Sequence, residues 1–206
     1  MVVWDRWVAR AGLIALGCFG WGGWLWADVY VRDDIIVNPV PALFSVCHGG
    51  GCTALSTVSL SGEQWRTITG AFAVAVTDPQ HERRQIAEAI AAFETIVGKL
   101  TGTSEDQAET AIFGNRHSQM DCIDESINTS NYLKMLIDAG LLKWHRLEDR
   151  ATRGWFLFGW PHTTAVVRDL QSSQRWVVDS WFFANGERPV IIPLDQWKGG
   201  WRPPRP

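Results

Sequence analysis

The chain has little of what marks most binding and cofactor classes. Lys and Arg number 19 against 22 Asp and Glu, for a net charge of −3, and they are scattered. With no basic run, nucleic acid is excluded as a partner. No internal repeat is visible, and no motif implies a metal or organic cofactor. Cysteine is scarce, with four in 206 residues, so each thiol is informative. What the chain has in excess is Trp, 13 in all. A chain of this length can bury one good core, which predicts one domain.

Long apolar stretches are absent but for one. Arg6 and Arg10 precede Ala11 to Ala27, a run that is apolar or Gly throughout. Trp21, Trp24 and Trp26 crowd its far end, as interfacial anchors do. Residues 1–27 therefore read as an uncleaved membrane anchor. A cleaved signal is the alternative, and lipidation at Gly17-Cys18 is a third. The arginines place the N-terminus in the cytoplasm and the rest outside the inner membrane, on the periplasmic side. Residues 28–45 read as a tether, 46–198 as the folded domain and 199–206 as a disordered tail.

Cys47-His48-Gly49-Gly50-Gly51-Cys52 encloses a tight loop whose glycines let its ends meet. In an exported protein this predicts a Cys47–Cys52 disulfide. The other reading is a metal site using Cys47, His48 and Cys52, which lacks a second Cys or His pair nearby. A disulfide there leaves Cys122 alone outside the apolar segment. An unpaired thiol in an oxidising compartment is either a working nucleophile or a buried, inert cysteine.

Local patterns predict the elements around that thiol. Thr77-Asp78-Pro79 starts a helix running to about Leu100, with Ile86, Ala89, Ile90, Phe93, Ile96 and Val97 on one face. Met120-Asp121-Cys122 leads into a second helix carrying Ile123, Ile127, Leu133 and Ile137, and the two helices should pack together. Strands are expected at 55–60, 141–147, 155–158 and 190–193, with 72–76 as a strand or the end of a helix. Thr163 to Asp169 and Arg175 to Phe183 form a hairpin across the polar turn Gln171 to Gln174.

The chemistry lies where these elements meet. Cys122 opens a helix, where unpaired N–H groups and the dipole favour an anion. His162 starts one hairpin strand and Asp179 ends the other. Their midpoint falls at the edge of the turn, which predicts that they lie opposite each other. A carboxylate there would accept from one imidazole nitrogen and leave the other for Cys122.

At these residues the chain resembles the transglutaminase-like branch of the papain-like cysteine enzymes. The likeness covers about Gln119 to Trp181. It rests on Cys122 at a helix N-terminus, Gly140 closing that helix, His162 leading a strand and Trp176-Val177-Val178-Asp179 ending one. It implies an α+β fold with the nucleophile helix packed on an antiparallel sheet. It also implies a Cys122, His162 and Asp179 triad acting through a thioester, on a protein, peptide or cell-wall peptide substrate. Where the family has small or aromatic residues after the Cys, this chain has Ile123-Asp124-Glu125-Ser126, whose carboxylates oppose thiolate formation. Asp121-Cys122 also resembles the start of the peptidoglycan-cleaving papain-like peptidases, the second enzymatic reading.

Other residues carry supporting expectations. Gln119 is an oxyanion donor by analogy or a surface residue, with Asn115 and Trp160 as weaker donors. Trp155 and Trp160 wall a substrate groove or fill the core. His117 is a rival base, and Asp169 a rival orienter at a turn where Asp is common for local reasons. His81 and His145 read as structural or solvated. Two non-enzymatic readings stand beside the enzyme: a degenerate domain that binds peptide or glycan, and a structural protein of the inner membrane.

Overall fold

The computed structural model describes residues 32–111, 116–154 and 161–204. Among them the fold is α+β, with two antiparallel sheets and four α-helices. The first sheet pairs β1 (Phe44–His48) with β2 (Ala54–Val58). Then come α1 (Gly62–Thr69), α2 (Pro79–Thr101) and α3 (Cys122–Asp138). The second sheet is a meander of β3 (His145–Arg153), β4 (His162–Asp169), β5 (Arg175–Asp179) and β6 (Val190–Pro193), followed by the short α4 (Leu194–Lys198).

The two long helices form for reasons written in their ends. Asp78 caps α2 by accepting from the His81 N–H at 2.8 Å, with Pro79 in the first turn. Asp121 caps α3 and exchanges hydrogen bonds with Asp124 in a capping box. Gly140, at φ +71°, ends α3. Its N–H bonds to Ile137 and that of Leu141 to Leu136, a Schellman closure that a left-handed residue permits.

The core lies between α2, α3 and the inner faces of both sheets. Phe44, Ile86, Ile90, Phe93, Leu133, Leu136 and Val167 are fully buried. Phe93 and Tyr132 stack with ring centroids 4.4 Å apart, which ties α2 to α3. The first half of α3 is unusual in burying Asp124, Glu125, Ser126, Asn128 and Thr129. One reason is the open edge of β1. The Asn128 amide accepts from Cys47 N at 2.7 Å and donates to Cys47 O at 2.8 Å, and Asn131 donates to Ser45 O. These amides replace a third strand.

Several expectations are corrected. The strand expected at 141–147 starts at His145 and runs to Arg153. Lys143 and Trp144 instead donate backbone N–H groups to the buried Glu82. Of the two readings of 72–76, the helix end fits better: Phe72 closes a 3₁₀ turn (Gly70–Phe72), and the rest is not a strand, with Val74 exposed. The hairpin's second strand stops at Asp179 rather than Phe183. β1, α1 and α4 are additional. The capping box of Ser61 and Gln64 was a readable signal for α1. The expected tether is docked from Arg32 onward: Arg32 donates to Cys52 O and Thr53 O, and Ile35 packs by the disulfide. The expected disordered tail is held through Trp201, which packs with Phe182 and accepts from Arg153. No helix among the described residues is long and apolar enough to cross a membrane. The anchor expected at 1–27 lies outside them, as does the strand expected at 155–158.

Candidate active site

Cys122 is the first residue of α3, and it faces the start of β4. Its thiol donates to Pro161 O at 3.8 Å, and the Thr163 N–H is directed at the same sulfur. The sulfur therefore touches the backbone on both sides of His162. Position follows from packing: α3 lies across β4, and the cap at Asp121 fixes where its first turn begins.

His162 Nε2 and Asp179 Oδ2 are 2.7 Å apart, and both residues are buried. Asp179 Oδ2 also accepts the indole N–H of Trp197 at 2.7 Å. His162 Nδ1 is buried and has no hydrogen-bond partner among the described residues. The Asp179 contact thus takes one nitrogen and leaves the other, as the hairpin predicted. The register differs from the expectation. Ala165 pairs with Val178 and Val166 with Val177, which makes His162 and Asp179 diagonal neighbours rather than opposite ones. The cause is the turn. Asp169 Oδ1 accepts from Gln171 N and Ser172 N, which moves the turn centre past the midpoint assumed from sequence. The resulting offset is two residues, so both side chains keep the same face.

Aromatic rings enclose the imidazole. Trp181 lies 4.5 Å from it between centroids, with Phe182 and Trp197 at 5.3 Å. The Cys122 thiol is itself desolvated. Burial pushes the Cys122 thiol up to about 12, and the charges of Asp121 and Asp179 push the same way against the Thr163 N–H. The expectation that the helix N-terminus would favour a thiolate is therefore corrected: desolvation and two carboxylates outweigh the backbone N–H groups at the sulfur.

The acidic residues flanking Cys122 cap α3 and also bind the glycine loop. Asp124 Oδ1 accepts from Cys52 N at 2.6 Å and Oδ2 from Gly50 N at 2.7 Å, while Asp121 Oδ2 accepts from Gly51 N at 2.8 Å. Consecutive N–H groups of the glycine loop thus converge on the carboxylates at the head of α3. The Cys47–Cys52 disulfide closes that loop. Cys47, Cys52 and Asp124 are near enough to one another to bind a metal as free ligands, but the two sulfurs are bonded to each other. His48 is occupied too, by His117 O at 2.8 Å and Ser56 Oγ at 2.9 Å, so the alternative metal site at Cys47, His48 and Cys52 is overturned.

The remaining candidates separate clearly. Gln119 is not placed as an oxyanion donor. Its amide donates to Glu105 O and Ser118 O and accepts from Thr110, which ties down the 105–110 loop. The Cys122 N–H, at the first helical position, keeps that role open. His117 packs edge-on against His48. Asp169 shapes its turn and pairs with Arg83 at 3.4 Å. His145 is buried between Glu82, at 2.7 Å, and Arg83, at 3.1 Å, and is structural as expected. His81 sits at the exposed start of α2, beside Thr77. Asn115, Trp155 and Trp160 lie outside the described residues. Trp197 was not singled out from sequence, because nothing local to residues 194–198 points toward Asp179.

Comparison with protein-family models, curated proteins and solved structures finds no match.

Proposed function

We propose that this protein is a cysteine-dependent acyl-transfer enzyme of papain- and transglutaminase-like type, hydrolysing a peptide or amide bond. The observation that carries the reading is the buried His162–Asp179 pair, whose Nδ1 has no partner among the described residues, while the backbone on both sides of His162 holds the Cys122 thiol. Since the resting thiol is neutral, deprotonation accompanies attack. Nδ1 takes the proton as sulfur bonds to the carbonyl carbon, and Asp179 stabilises the imidazolium. The C–N bond then breaks, His162 returns the proton to the leaving amine, and a thioester remains on Cys122. Water, deprotonated by His162, releases the acid and restores the thiol. The Cys122 N–H serves the oxyanion.

The disulfide supports export to an oxidising compartment, and so does the arginine-led apolar segment, with the domain held at the inner membrane or released from it. A protein, peptide or cell-wall peptide is then the substrate class. One observation favours a second reading: a thiol pushed up to about 12 is what a degenerate, ligand-binding domain would keep. Turnover of amide-linked peptides and muropeptides separates the two. The enzyme reading expects release of an amine by wild type and none by Cys122→Ala. Binding that is equal in both proteins, with no turnover by either, would establish the binding domain instead.

A further inference from the structure

The carboxylate of Asp179 has two N–H neighbours at one oxygen, and only one of them is the imidazole. The other comes from α4, beyond the last strand. Trp197 is fully buried, its indole Nε1 lies 2.7 Å from Asp179 Oδ2, and its ring stands 5.3 Å from the His162 ring. Arg153, on the strand beside His162, lies over the ring of that indole. Its guanidinium carbon is 4.4 Å from the ring centroid, and its side chain donates to Trp197 O and to Trp201 O. An indole N–H only donates. A group that only donates, aimed at Oδ2, requires that oxygen to act as an acceptor.

We propose that Trp197 is a positioning residue for the Cys122, His162 and Asp179 site, holding Asp179 Oδ2 in line with His162 Nε2 and thereby fixing which imidazole nitrogen is left for the thiol. With Oδ2 accepting, the proton of the neutral imidazole sits on Nε2 and the lone pair on Nδ1, where no group among the described residues bonds to it. The orphaned Nδ1 is then a basic nitrogen kept free, and Trp197 is what keeps it so. Arg153 clamps Trp197 by its backbone carbonyl and its ring face, so α4 cannot drift from the end of β3 without breaking both contacts. The assignment deepens the acyl-transfer reading and rests on it for its role, but its geometry does not require turnover.

The test replaces Trp197 in the full chain with β-(3-benzothienyl)alanine, whose sulfur stands where the indole N–H was in a ring of nearly the same shape. Two quantities are read. The first is exchange of the His162 Nε2 proton with water by NMR, expected to quicken about tenfold once Asp179 loses its second donor. The second is acylation of Cys122 by a thiol-directed acyl probe, expected to fall about tenfold in the native background but by less than about twofold when Asp179→Asn is already present. Equal acylation losses in both backgrounds would mean a merely structural role and overturn the assignment, as would unchanged proton exchange in the folded variant. If the variant does not fold, the unsubstituted protein decides: a slowly exchanging Trp197 indole proton that quickens in Asp179→Asn supports the bond, and fast exchange in the native chain overturns it. Proton exchange is read without catalysis, so a chain with no acyl transfer would sink the function and leave this assignment to stand or fall on its own.

Discussion

At the scale of single residues, the account turns on one imidazole with one nitrogen engaged and one empty. Asp179→Asn probes the engaged side. The amide can accept from Trp197 or His162 but carries no charge to stabilise an imidazolium. The expected result is a loss of about 100-fold or more in kcat/KM on a peptide substrate, with the circular dichroism spectrum unchanged. Cys122, His162 and Asp179 were legible because each sits at the end of a regular element, where spacing along the chain translates into position in space. Gln119 and Trp197 were not. What Gln119 does depends on the 105–110 loop folding back over it, and what Trp197 does depends on α4 lying against β5. Neither contact leaves a periodic trace.

At the scale of elements, the first turn of α3 and the disulfide loop are one unit. Asp124 is fully buried and takes backbone N–H groups from Gly50, Cys52 and Asp121. Asp124→Ala would strand these donors without water and is expected to cost about 2–3 kcal/mol in chemical denaturation. Opening the small ring by the double change Cys47→Ser, Cys52→Ser is expected to cost about 2 kcal/mol, because a short loop removes little entropy from the unfolded chain. An Asp124→Ala protein as stable as the native one would disprove the link between loop and helix. The sequence showed a disulfide and an acidic helix start, but not that one binds the other. That required knowing that β1 lies along α3, and β1 was not read from the sequence.

At the scale of the whole molecule, the fold carries an unusual load of buried acid. Burial lifts Glu94 on α2 and Asp106 in the loop after it to about 7, with the Asp106 charge adding to this at Glu94 and the Asp121 charge adding to it at Asp106. Burial and the Asp121 charge lift Asp124 to about 7 as well. Glu125 rises well above its usual range through burial and the charges of Glu94, Asp106, Asp124 and Asp179. Asp106 accepts from Met120 N at 2.6 Å, and Gly186 N donates to Glu94 at 3.1 Å, so the cluster joins the segment before Cys122 to the one after Asp179. Each of these acids binds its proton more tightly folded than unfolded. Their stabilisation is complete below the unfolded carboxyl range near 4 and fades as pH rises toward 7. Tm is therefore expected to fall by at least about 5 °C between pH 5 and pH 8, and Glu94→Gln should flatten that slope. A Tm that rises over the same interval would contradict the cluster's protonation. The α+β class was what the resemblance around Cys122, His162 and Asp179 implied, whereas this cluster was not legible, since its members are far apart in the chain. The central claim is that Cys122 attacks with His162 as its base. The most direct measurement is covalent labelling by a thiol-directed acyl probe at neutral pH, with the modified peptide mapped in the native protein and in His162→Ala. The account predicts a thioester at Cys122 in the native chain and a rate at least about 100-fold lower without the imidazole. Labelling at equal rates in both proteins, or none at Cys122 in either, would contradict it.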